Sequence, residues 1–186
     1  KEFSATLRPD LDNIISSYEL LAETDFIRSK AKFAISTNSS EPNIENKQIL
    51  NWKRAIHPLL EMSLSKSGKK VVPLDLVLTS RQRILLISGP NAGGKSVCLK
   101  TVGLLQNMLQ CGMPVPMDEN SQMGIFHGLF IDIGDEQSIE DDLSTYSSHL
   151  LNMKNMMRRC NSATLIMIDE LGTGTEPQIG GAIAEA

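Results

Sequence analysis

The segment 83-RILLISGPNAGGKS-96 constrains the fold of this chain more than any other. An apolar run ends at Ser88, and Gly89 to Ser96 then read G-x-x-x-x-G-K-S without exception. From Lys95 to about Cys111 the apolar residues Leu99, Val102, Leu105 and Leu109 recur at helical spacing, with Gly112 as a stop. Strand, glycine-rich loop and helix in that order form a cradle for a polyphosphate. Gly93 and Gly94 lack a Cβ and let the backbone curl close to an anion. The loop N–H groups and the positive end of the helix then face that anion. In this reading Gly89, Pro90, Asn91, Ala92, Gly93, Gly94, Lys95, Ser96 and Val97 bind ATP or ADP. Lys95 reaches the β- and γ-phosphates, and Ser96 places its hydroxyl on Mg²⁺. Pro90 and Asn91 have a second reading, as residues that stiffen and support the loop.

A second apolar run, 164-TLIMI-168, ends abruptly in Asp169 and Glu170. Ligands of parallel α/β sheets bind beyond the carboxyl ends of strands, where these acids fall. Mg²⁺ keeps several waters and needs only one or two carboxylates, so Asp169 is assigned to the metal through its water shell. Strand alternation turns Glu170 in another direction, where it orients or activates the water that attacks the γ-phosphate. The bland alternative is an acidic surface turn. Between the two motifs lies 132-DIGDEQSIEDDLSTYSSHL-150. Gly134 and the polar run suggest a loop that moves, with Gln137 a candidate for Mg²⁺ or the attacking water. A helix is expected from about Ile139 to Arg159, with Asp141 and Asp142 as acids near its start.

Strand-like 71-VVPLDLVL-78, 83-RILLIS-88, 129-LFIDI-133 and 164-TLIMI-168 alternate with helical stretches, which predicts an α/β domain with a mostly parallel sheet. Before it, Leu11, Ile14, Tyr18, Leu21 and Phe26 predict a helix from about Asp10 to Ala34. The Ser-, Asn- and Pro-rich 36–46 stretch predicts a loop and a boundary, dividing a helical segment 1–45 from a domain 46–186. His57-Pro58 interrupts any helix through 49–60, because proline restrains the residue before it.

At −4 and a pI near 5.4, the chain does not grip nucleic acid by charge alone. No apolar run approaches the roughly 20 residues of a membrane span, and the N-terminus is not a signal peptide. Cys98, Cys111 and Cys160 lack CxxC spacing, which favours buried small hydrophobes in a reducing compartment. His57, His127 and His149 have no metal-site spacing, and Met153, Met156 and Met157 read as core or interface. Trp52 reads as packing, and Lys66, Lys69 and Lys70 as a solvated turn. The final IGGAIAEA reads as a helix stopped in mid-course, so the expectation is a piece of a larger protein.

GPNAGGKS, then DIGDEQS…STYSSH, then IDELGTGTEPQIGGAIA resembles the ATPase domain of the MutS mismatch-repair family. The likeness is nearest to the second bacterial branch, which lacks a mismatch-reading domain and usually ends in a small Smr nuclease-like domain. It covers most of residues 49–186, and DFIRSKAKFA at 25–34 is similar to the end of the family's lever helix. The resemblance implies an ABC-type P-loop ATPase that dimerises head to tail, each site completed by the partner. Gly89–Ser96 would be Walker A and Asp169–Glu170 Walker B, with Gln137 in the mobile loop. Gly172, Thr173, Gly174, Thr175 and Glu176 would lie in the signature region facing the other subunit's nucleotide. The clamp, most of the lever, a later strand and a γ-phosphate-sensing histidine would lie outside this sequence.

The implied function is ATP-gated clamping of a bacterial cytoplasmic homodimer on branched DNA, suppressing recombination, or on collided ribosomes. Glu176-Pro177 stands where the mismatch-repair branch has a small hydroxyl residue, and a carboxylate there would repel a phosphate. Mismatch recognition does not transfer. Two alternatives stand beside this reading: a nucleotide-binding dimerisation module with little turnover, and another ABC-type chromosome-maintenance ATPase. The second expects a Ser-Gly-Gly run well before Walker B, and none occurs between Ser96 and Thr164.

Overall fold

The computed structural model describes residues 7–90, 93–133 and 142–169 of the 186. A 3-10 turn, Arg8–Asp10, opens helix α1, Leu11–Ser36. Then follow β1, Asn43–Glu45, and β2, Leu50–Ala55. Helix α2 is Pro58–Ser65, strand β3 is Leu74–Leu78, and helix α3 is Lys95–Gln110. Strands β4, Gln122–Gly124, and β5, Gly128–Asp132, lead to helix α4, Asp142–Arg159, and strand β6, Thr164–Ile168.

The fold is mixed α/β, but the larger sheet departs from the parallel expectation. Its order is β1-β4-β2-β3, with β1 parallel to β4 and β2 antiparallel to both β4 and β3. The parallel pair is β5–β6, in register from Gly128↔Thr164 to Asp132↔Ile168. Three-residue β1 falls inside the stretch expected to be a loop, since so short a strand leaves no alternation to read.

Alternation explains β2. Leu50 and Trp52 point inward, and the next inward residue is Ala55, because the register shifts between Trp52 and Ala55. At that bulge Arg54 takes a left-handed φ of 53°, and its N–H donates to Asp75 Oδ1 at 2.7 Å. Without the extra residue Arg54 would face the core. His57 then ends the strand region as the N-cap of α2, its Nδ1 accepting from Leu60 N at 3.3 Å, with Pro58 in the first turn.

Helix α3 joins the two sheets. Val102, Leu105, Met108 and Leu109 are buried in one core with Leu50, Trp52 and Leu76 of the first sheet and Leu165 and Met167 of β6. Gln106, fully buried, donates from Nε2 to Gly124 O at 2.8 Å. Gly103 allows close approach: a Cβ there would lie 2.7 Å from Ile131 Cδ1 and 3.6 Å from Met167 Sδ. The helix stops at Gly112, φ 69°, as its spacing predicts.

Residues 83–88 make no strand pairing, a correction to the expected strand. Ile84 and Leu86 are 91% and 89% exposed. A cavity of about 630 Å³ separates Ile84, Leu85 and Ile87 from Val102, Leu165 and Met167. A continuous apolar run alone does not make a strand. The backbone also needs a ladder partner, and among the described residues β6 pairs with β5 alone.

Helix α1 forms as its spacing predicts, but none of its residues is buried, and Leu11, Ile14, Tyr18, Leu21 and Phe26 are exposed. At its C-terminal end Lys30 Nζ donates to Gly112 O at 3.0 Å and lies 4.6 Å from the Phe26 ring centroid. Phe33 packs against the core. No helix among the described residues is long and apolar enough to cross a membrane.

Candidate functional site

The glycine-rich loop meets α3 at Gly94, its N-cap, at φ 83° and ψ 21°. That left-handed conformation turns the chain into the helix and favours glycine. Gly89, at φ 151°, is the other unusual position. Gly93 has no positive φ, and a Cβ there would touch Pro90 Cγ and Cδ at 3.7 Å, an ordinary contact. The local backbone therefore demands glycine at 94 and 89, while Gly93 matters for what approaches the loop.

Lys95 stands in the first turn of α3 and folds back over the loop, its Nζ donating to Gly89 O at 2.7 Å. Gly93 N donates to Pro90 O at 2.9 Å, and Cys98 N to Gly94 O at 2.9 Å. Ser96 is half-buried and Val97 is exposed. No side-chain oxygen caps this N-terminus, so its first N–H groups carry the helix's positive end. Burial pushes the Cys98 thiol up, which keeps it protonated at neutral pH.

At the second motif, β5 and β6 end side by side. The chain leaves β6 at Asp169, whose N–H donates to Asp132 O at 2.8 Å. Asp132 is only 5% exposed, and its Oδ1 accepts from Asn152 Nδ2 of α4 at 3.0 Å. No hydrogen bond joins the Ser96 hydroxyl to the Asp169 carboxylate, which sit on separate elements. Among the described residues no group of three or more His, Cys, Asp or Glu is placed to hold a metal.

Asn91, Ala92, Gln137, Glu170, Gly172, Thr173, Gly174, Thr175 and Glu176 lie outside the described residues. Reading the sequence missed Asp132 and Asn152. The available signal was an acid closing an otherwise apolar strand, 129-LFID-132. The cysteines correct the expectation of burial: Cys111 and Cys160 are exposed and Cys98 is half-buried, because Cys111 caps a helix end and Cys160 follows one. Met156 is buried as expected, but Met157 is 78% exposed, since consecutive helix positions cannot share one face. Trp52 is buried packing, and Lys66, Lys69 and Lys70 are exposed, both as expected.

A glycine-rich loop of this pattern at the head of a helix is a feature of nucleotide-binding domains. Comparison with known proteins narrows the class. Residues 85–186 match MutS domain V, the ATPase domain of its family, and the chain belongs to the MutS family. It is 44% identical over 186 residues to Endonuclease MutS2 of Carboxydothermus hydrogenoformans, a match covering 100% of this chain and 23% of that protein. The Finegoldia magna protein of the same name gives the same 44%, again over 100% of this chain and 23% of the relative. That of Caldanaerobacter subterraneus is 42% identical over 183 residues, 98% of this chain and 22% of the relative. The chain thus spans less than a quarter of the length of the curated relatives it matches.

Proposed function

We propose that this domain binds ATP with Mg²⁺ and hydrolyses it within an ABC-type head-to-tail dimer of the MutS second branch. The observation that carries the reading is the loop-helix junction: left-handed Gly94, the uncapped start of α3, and Lys95 bonded to Gly89 O across the loop. A phosphate oxygen would take the Lys95 ammonium from that carbonyl and gain a charge-assisted bond. Ser96 and, through water, Asp169 would hold Mg²⁺. Glu170 would orient the attacking water, with Gln137 reaching the same point from the segment between the two motifs. Gly172 to Glu176 would face the partner subunit's nucleotide.

In the intact protein the domain 46–186 would gate a dimer through the helical segment 1–45. The relatives' printed name, an endonuclease, supports a nucleic acid as the large partner, with branched DNA and collided ribosomes as the two candidates. The sources of the relatives support a bacterial setting, in which the protein would act in the cytoplasm.

The test is a calorimetric titration of the intact protein with ATP and ADP, beside a turnover assay. Lys95→Ala should abolish nucleotide binding. Glu170→Gln should bind ATP normally and lose turnover by about 100-fold or more, the order expected of a positioned base. Tight binding by wild type without turnover would instead favour a dimerisation module. Equal turnover in wild type and Glu170→Gln would remove Glu170 from catalysis.

A further inference from the structure

Asp132 stands where three parts of the molecule meet. It closes β5, and its position in the ladder is opposite Ile168, the last residue of β6. Its carbonyl accepts the Asp169 N–H at 2.8 Å, carrying the parallel ladder one residue past the strand. Its carboxylate accepts from Asn152 at 3.0 Å, well inside α4, the helix that follows the 134–141 segment. Asp132 is buried, and a buried polar side chain is kept where hydrogen bonds satisfy it. A core built only for packing would close this strand with an apolar residue, as Ile168 closes its neighbour.

We propose that Asp132 is a positioning residue for the Asp169 carboxylate, with Asn152 as its partner. The inference rests on the assignment of Asp169 to Mg²⁺ and goes beyond it. The backbone bond sets where the chain turns away from β6, and hence where the Asp169 side chain begins. The Asn152 bond ties that turn to α4, so a shift of the helix is felt at the metal-binding acid. Outer groups that orient a metal ligand act on metal affinity without touching the metal, typically by about 10- to 100-fold.

The experiment follows a fluorescent ATP analogue on the intact protein, titrated with Mg²⁺ and repeated in chelator. Asn152 is exposed, so Asn152→Ala removes the bond with little risk to folding. Asn152→Ala and Asp132→Ala should raise the Mg²⁺ concentration at half-saturation by about tenfold. Metal-free nucleotide binding should stay at the wild-type level. Asp132→Asn keeps an oxygen to accept from Asn152 and should restore most of the Mg²⁺ response. A purely structural role lowers the melting temperature and leaves the Mg²⁺ midpoint alone. That result in folded Asn152→Ala, or equal losses with and without Mg²⁺, would overturn the proposal. Asp169→Asn is the control. If it moves the Mg²⁺ midpoint and Asn152→Ala does not, only the positioning role fails. If Asp169→Asn has no effect, the metal assignment fails and this inference falls with it.

Discussion

At the scale of single residues, one side chain and two glycines carry most of the testable chemistry. His57 caps α2 through Nδ1, which can accept only while the imidazole is neutral. Partial burial lowers its pKa below the usual histidine range. A backbone hydrogen bond opposes this, and the Lys100 charge adds to the lowering. The folded state therefore prefers neutral His57. Its contribution is complete above the unfolded value of about 6.5 and is lost as pH falls through the lower folded value. His57→Ala should cost about 1 kcal/mol at pH 8, the usual worth of an N-cap, and its deficit should shrink towards pH 5. Denaturant midpoints at the two pH values check this. In the loop, Gly94→Ala should cost about 1–2 kcal/mol from the left-handed backbone alone, because nothing lies within 4 Å of the added Cβ. Gly93→Ala should leave stability unchanged in the same denaturation experiment and weaken nucleotide binding through the blocked approach. The motif presents both glycines alike, and only the backbone angles tell their jobs apart.

At the scale of elements, periodicity located helices α1, α3 and α4 and strands β5 and β6 within a few residues. It failed where an element's existence depends on another element. Residues 83–88 have the composition of a strand but no ladder partner among the described residues, and β1 exists only because β4 lies beside it. The connection between β1 and β2 passes so close to β4 that a Cβ on Gly124 would press on Lys47 O and lie 2.6 Å from Ile49 N. Those are backbone atoms in paired chain and cannot move aside. Gly103 faces a milder case, because its nearest neighbour is the tip of the Ile131 side chain. Gly124→Ala should therefore cost about 3 kcal/mol or prevent folding, at or beyond the upper end of ordinary overpacking. Gly103→Ala should stay within about 1 kcal/mol of wild type, since better helix propensity offsets the rotation of Ile131. Chemical denaturation of the two variants side by side separates rigid from yielding neighbours.

At the scale of the whole molecule, α3 holds the two sheets together and α1 stands outside the core. Trp52 is the only tryptophan and is 1% exposed in that core, so its fluorescence reports the packed sheets and α3. No residue of helix α1 is buried, and of its length of about 39 Å it is the C-terminal end, at Phe33, that packs against the core. Heating should therefore lower the far-ultraviolet helix signal in a first step that leaves Trp52 emission unchanged, with a second, cooperative step in both signals. A single coincident transition would mean that Lys30 and Phe33 couple α1 to the core more tightly than their contacts suggest.

The sequence by itself determined the glycine-rich loop at the head of α3 and the identity of the longer elements. Lysine, glycines and apolar spacing are local features, and local backbone geometry follows from neighbouring residues. It also carried the family, through motifs that the comparison matched over residues 85–186. What the tertiary structure decided was everything that needs a partner far along the chain. That includes the antiparallel pairing of β2 with β3 and β4, the solitary course of 83–88, and the burial of Asp132 between Asp169 and Asn152. The physical reason is common to all three. A strand edge or a buried carboxylate is stable only when distant residues supply its hydrogen bonds, and no local pattern encodes which residues those are.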